Sequence, residues 1–79
     1  MAYAQWNREA EENILAFGLT KDEVESSLRQ RIGASACEPH GLKGRLRTSI
    51  KIRKKGSFEV QFCMVSGTPW IQMIHLEDS

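Results

Sequence analysis

From Leu46 to Met64 an apolar or small residue occupies every second position, broken once by Lys54-Lys55-Gly56-Ser57. Leu46, Thr48, Ile50 and Ile52 fall on one side of an extended chain, and Phe58, Val60, Phe62 and Met64 on one side of the next. Side chains alternate across a strand with a period of two, so the pattern predicts two half-buried strands, over about 45–54 and 57–65. The glycine-containing break between them is a hairpin turn. Ser66-Gly67-Thr68-Pro69 is a second turn, and residues 70–76 form a third strand. Its pattern is mixed. Trp70, Ile74 and Leu76 share a side with Gln72, while Ile71, Met73 and His75 take the other. A strand apolar on both sides packs on both, against the N-terminal segment around Tyr3 and Trp6 or against a second copy of the chain.

The apolar side of such a sheet needs a cover, and the N-terminal half supplies it. Asn7 caps a helix over about 7–17, with Glu9, Glu11 and Glu12 in its early turns. Ala10, Ile14 and Phe17 share its inner face, and Gly18 stops it. Thr20-Lys21-Asp22-Glu23 is a capping box for a second helix over about 21–32. Val24, Leu28 and Ile32 form its apolar face, and Gly33 closes it. Residues 34–44 read as a loop, with room for a short extended piece near Cys37. The expected architecture is a single α+β domain over residues 1–79. Its two N-terminal helices pack on one face of a three-stranded antiparallel sheet.

The chain has 79 residues, enough for one modest core. Its net charge of +1 hides an asymmetry. Residues 1–38 hold seven acids and four bases, whereas residues 39–79 hold seven bases and three acids. All seven bases of the second half lie between Lys43 and Lys55, with no acid among them. Such a distribution is informative about partners. No N-terminal apolar run resembles a signal peptide, and no segment has the length to span a bilayer. The expectation is a cytoplasmic protein, peripheral at a membrane if its partner is lipid, with Cys37 and Cys63 reduced.

No residue set spells out catalysis, so the chain is read as a non-enzyme. Cys37 and His40 lack an orienting third group, and Gly41-Leu42-Lys43-Gly44 is too short for a phosphate loop. Cys37, His40, Cys63 and His75 offer one short-spaced ligand pair where zinc needs two, so no metal and no cofactor is expected. The remaining candidate is the basic strand itself. Arg45, Arg47, Lys51 and Arg53 point one way along roughly 30 Å of extended chain, with Lys43, Lys54 and Lys55 at its ends. That row would attract an anionic membrane surface or an acidic protein. The competing reading is a solvated face whose charges protect a sheet edge. Nucleic acid is the alternative partner, through the hairpin at 45–62. No aromatic residue interleaves with these bases to stack on nucleobases. A homo-oligomer or inhibitor is the third reading, using an apolar second face of Ile71, Met73 and Trp6.

The segment SFEVQFCMVSGTPWIQMIHLED resembles the closing strands of kinase-associated-1 domains, the C-terminal regulatory modules of AMP-activated and microtubule-affinity-regulating kinases. Residues 21–33, 45–54, 57–65 and 70–78 follow that family's order of helix, basic strand, FEVQ-type strand and apolar strand. The resemblance implies helices on one face of an antiparallel sheet. It also implies binding of acidic phospholipids, of a kinase or of its partner subunits. Arg45, Arg47, Lys51, Arg53, Lys54 and Lys55 would then contact the anion. The family's C-terminal helix has no counterpart after residue 76, and the helix at 7–17 stands at the opposite end.

Overall fold

Asn7 opens helix α1 (Arg8–Phe17) by accepting the Ala10 amide at 2.8 Å. Gly18, at φ 70°, closes it, and the Leu19 amide donates back to the Ile14 carbonyl at 2.8 Å. This closure satisfies helix-end carbonyls and turns Leu19 into the core. Helix α2 (Lys21–Gly33) starts at once. Its capping box is complete: the Glu23 amide donates to Thr20 Oγ1, and the Thr20 amide donates to the Glu23 carboxylate. Gly33 is the last residue of α2 and not its stop. The left-handed position falls on Ser35, at φ 55°, with the Ala36 amide donating to the Arg31 carbonyl.

The computed structural model describes residues 3–41 and 44–77. Five strands form one sheet: β1 (Gln5–Trp6), β2 (Glu38–Pro39), β3 (Leu46–Ile52), β4 (Gly56–Val65) and β5 (Thr68–Leu76), in the spatial order β1-β5-β4-β3-β2. The sheet is therefore not the expected three-stranded antiparallel one. It is five-stranded and mixed, because β1 runs parallel to β5 while the other pairs are antiparallel. The central meander keeps the expected order, but β3 ends at Ile52, which leaves Arg53 and Lys54 in the turn, and β5 begins at Thr68, so Thr68 and Pro69, read from the sequence as turn, belong to the strand. The two added strands are only two residues long, too short to show any alternation. Pro39 also removes an amide from β2, which suits an edge strand and reads in sequence as a loop residue.

The mixed pattern of residues 70–76 has a local cause. Val60 pairs with Ile74 and Gln61 with Met73, but Phe62 pairs with Ile71, so Gln72 is an extra residue in β5. A bulge of this kind inverts the facing of everything beyond it. Ile71 and Ile74 both end on the helix-covered side and are fully buried. Trp70, Met73 and His75 face out, on the side of Cys63, Gln61 and Glu59. The bulge is tied to α1, since the side chains of Asn7 and Gln72 meet at 3.1 Å and Asn13 Oδ1 accepts the Ile74 amide at 2.9 Å.

Helix α1 packs on β5 and α2 on β3. Between helices and sheet lie Ala10, Ile14, Leu19, Val24 and Leu28 against Ile50, Phe58, Val60, Phe62, Ile71 and Ile74. The Phe17 and Phe58 rings meet with centroids 5.2 Å apart. The opposite face of the sheet carries no covering element among the described residues, so the odd-numbered side chains of β3 stand open.

Candidate anion-binding site

Register places the basic row in a definite neighbourhood. On the open face Arg47 lies beside Gln61, Ser49 beside Glu59 and Lys51 beside Ser57, while Glu38 of β2 lies beside Arg47 on the far side. The next strand adds Met73 beside Gln61 and His75 beside Glu59. Strand neighbours stand about 4.8 Å apart, so these side chains form a continuous and, Met73 apart, polar sheet surface.

Part of its charge is matched locally. Arg45 Nη1 donates to Gln61 Oε1 at 3.2 Å, and Gln61 Nε2 donates to Glu59 at 2.8 Å. His75 Nε2 sits 3.0 Å from the same Glu59 carboxylate. Arg47 reaches Glu38 at 3.7 Å and lines a cleft of about 230 Å³ with Glu38, Glu59 and Glu77. Ser49 Oγ donates to Glu77. Burial pushes the Glu59 carboxyl up, but hydrogen bonds from Gln61 and His75 and the charges of His75 and Arg47 outweigh it and leave it below its ordinary value. Burial likewise pushes His75 down, but its bonds to Glu59 and the Leu76 carbonyl and the charges of Glu59 and Glu77 raise it overall.

The seven basic residues singled out from the sequence therefore divide. Lys43 lies outside the described residues. Arg45 and Arg47 are engaged on the open face. Lys55 turns the other way: its Nζ donates to the Gly18 carbonyl at 2.7 Å and to Glu23 at 2.8 Å, fastening the hairpin turn to the junction of the two helices. Lys51, Arg53 and Lys54 are exposed, and none forms an ion pair among the described residues. Lys54 is at φ 68°, in the turn that presents all three at one end of the sheet. Between this end and α2 runs a groove of about 340 Å³ lined by Ser27, Gln30, Arg31, Ser49, Ile50 and Lys51. Arg31 is held there by its Nε bond to Thr48 Oγ1 at 3.1 Å and a second bond to the Ala36 carbonyl. The hairpin pattern gave no sign of Arg31, because it belongs to a helix. Its place near the C-terminal end of α2, above the strand that follows, is the signal that could have found it.

The proposed apolar second face also divides. Ile71 is 0% exposed in the core, so it cannot form part of an outer face. Trp6 is half-buried on the helix side, where its Nε1 donates to Glu25 at 2.7 Å and Lys21 lies 5.8 Å from its ring. Met73 does face out, half-buried, with Trp70 at 42% exposure near it. Trp70 is an exposed aromatic on the same face as Arg45, reached across β4 and invisible to a reading of the hairpin alone.

Cys37 packs on the helix side beside Ile32, Leu46 and Phe62, while Cys63 pairs with Trp70 on the open side. Both are free thiols, and the sheet separates them. Among the described residues no group of three or more histidines, cysteines or carboxylates is placed to hold a metal. No helix of the described residues is long and apolar enough to cross a membrane. In comparisons with protein-family models, curated proteins and solved structures, nothing matches the chain.

Proposed function

We propose that the protein is a non-catalytic interaction module that holds an acidic protein segment at the basic end of β3. The observation that carries this reading is the division of the basic row. Where Arg47 and Lys55 are ion-paired and Arg45 is tied by a hydrogen bond to Gln61, Lys51, Arg53 and Lys54 have no such partner among the described residues and present their charge beside a groove containing Arg31. Opposite charge brought to such a patch gains attraction without displacing an existing pair. An acidic protein is preferred over a lipid surface because the flat face that would meet a bilayer also carries Glu38, Glu59 and Glu77. These carboxylates would be driven against anionic headgroups. The likeness of residues 57–65 and 70–78 to kinase-associated-1 domains points to the same class, since those modules act by binding.

Titration with polyglutamate tests the reading. Binding is expected to weaken as salt rises and to fall by roughly tenfold or more in K51E/R53E/K54E, about 1.4 kcal/mol. Equal binding by that variant would contradict it. Co-sedimentation with phosphatidylserine vesicles, but not with neutral ones, in the absence of polyglutamate binding would replace it with the lipid reading.

Trp70 favours a second reading. Its exposed ring shares the open face with Arg45 and Arg47, the combination that single-stranded nucleic acid uses for stacking and phosphate contact. The carboxylates among those bases rank it behind the first. Loss of oligonucleotide binding in Trp70→Ala, with polyglutamate binding intact, would establish it as a separate activity.

A further inference from the structure

Both edges of the sheet begin with a two-residue strand, and they are finished differently. At the β5 edge, β1 pairs with Trp70 and Ile71, and the Ile74 amide beyond it is taken by Asn13 of α1. At the β3 edge, β2 pairs only with Leu46 and Arg47. β3 continues to Ile52 with no strand beside it on that side among the described residues. The His40 amide donates to the Arg45 carbonyl, so odd-numbered residues of β3 turn their backbone groups toward β2. Antiparallel ladders alternate, which aims the amides and carbonyls of Ser49 and Lys51 out of the open edge. No hydrogen bond from the described side chains meets either backbone there.

An exposed row of this kind is a template for another strand, and proteins usually blunt it with a proline, a bulge, a cover or charged side chains. Residues 48–52 have no proline, bulge or, among the described residues, covering strand, and their one charged residue, Lys51, repels a basic strand while leaving the edge open to an acidic one. Helix α2 does not cover the edge but stands back from it, leaving the groove lined by Ser27, Gln30 and Arg31. From this geometry we infer that the acidic segment binds as an added β-strand along Thr48–Ile52, in the groove between β3 and α2. The inference rests on the reading of the previous subsection and specifies how its partner binds.

The charge pattern selects the occupant. A second copy of the chain could offer its own β3, but antiparallel pairing centred on Ser49 sets Lys51 against Arg47 of the copy. Centring on Ile50 opposes Arg47 and Arg53, and centring on Lys51 opposes the two lysines. Like charges directly opposite are destabilising, so the edge repels itself. A foreign strand with acids at alternate positions meets Lys51 and Arg53 on one side. Hydroxyl or amide side chains at its other positions meet Ser27, Gln30 and Arg31. Main-chain bonds to Ser49 and Lys51 then supply affinity, and the flanking bases supply specificity.

A short capped peptide of alternating glutamate and threonine is the probe, read by amide hydrogen exchange on the intact chain. With peptide bound, the Ser49 and Lys51 amides are expected to gain at least roughly tenfold protection, as amides entering a ladder do. Those of Thr48 and Ile50, already in the ladder with β4, should change little. Peptides N-methylated only on the glutamates or only on the threonines should differ in affinity, because one set of amides faces β3 and the other does not. Salt-dependent binding without protection at Ser49 and Lys51, or equal binding of the two methylated peptides, overturns strand addition and leaves the electrostatic reading standing. Absence of any binding overturns both.

Discussion

Lys51 and Lys55 stand four residues apart in one basic run and have unlike roles. Lys55 is exposed but held, with its charge on Glu23 and the Gly18 carbonyl. Lys55→Met should therefore lower the denaturant midpoint slightly and leave polyglutamate binding unchanged. Lys51→Ala should do the reverse. Core positions give a sharper contrast. Phe62 has no exposed surface, so Phe62→Ala should cost about 3–5 kcal/mol; a much smaller loss would move it out of the core. The pair His75–Glu59 sets a pH dependence. His75 is raised in the folded chain, so its contribution is present below the ordinary histidine value and is lost as pH rises through the raised one. Glu59 is lowered, so its contribution is present above the ordinary carboxyl value and is lost as pH falls through the lowered one. Stability from the pair should thus be greatest between those two ordinary values, at mildly acidic pH. In His75→Gln the decline on the alkaline side should flatten, as followed by thermal melts at stepped pH.

At the scale of elements, regular periodicity was readable and its interruptions were not. The capping box at Thr20 and Glu23, the Asn7 cap and the alternation of β3 and β4 all follow from local chemistry, and each lies where the residues put it. β5 is different, because a single extra residue, Gln72, changes which side chains face inward. Two isoleucines three apart, Ile71 and Ile74, are the trace that such a bulge leaves in a strand, since unbroken alternation would put them on opposite faces. Ile71→Ala should therefore cost about 2–5 kcal/mol and Met73→Ala far less, by chemical denaturation. Equal losses would deny the bulge. β1 and β2 had no readable pattern, since each owes its place to a neighbour already in the sheet. The end of α2 shows the same limit. Gly33 looks like a stop, yet the chain turns at Ser35, whose φ of 55° suits glycine better. Ser35→Gly is expected to stabilise the protein by up to about 1 kcal/mol, seen as a raised melting temperature.

For the whole molecule, the two layers decide which charges are available. The helices bury one face of the sheet, and the small strands β1 and β2 narrow its open edges, leaving among the described residues a stretch of β3 over Thr48–Ile52 with no strand beside it. Sequence showed the full set of bases and Glu59 as a cross-strand partner, but not the other neighbours: Glu38 comes from β2, Glu77 from just past β5, and Glu23 from a helix. Among the described residues, contacts with neighbours engage Arg45, Arg47 and Lys55 and leave Lys51, Arg53 and Lys54, joined by Arg31. The most direct test is a residue-by-residue NMR titration with polyglutamate at low salt. The account predicts amide shifts concentrated at residues 49–54 and at Arg31, fading as salt is added. Shifts centred instead on Arg45, Cys63 and Trp70, or none at all, would contradict it.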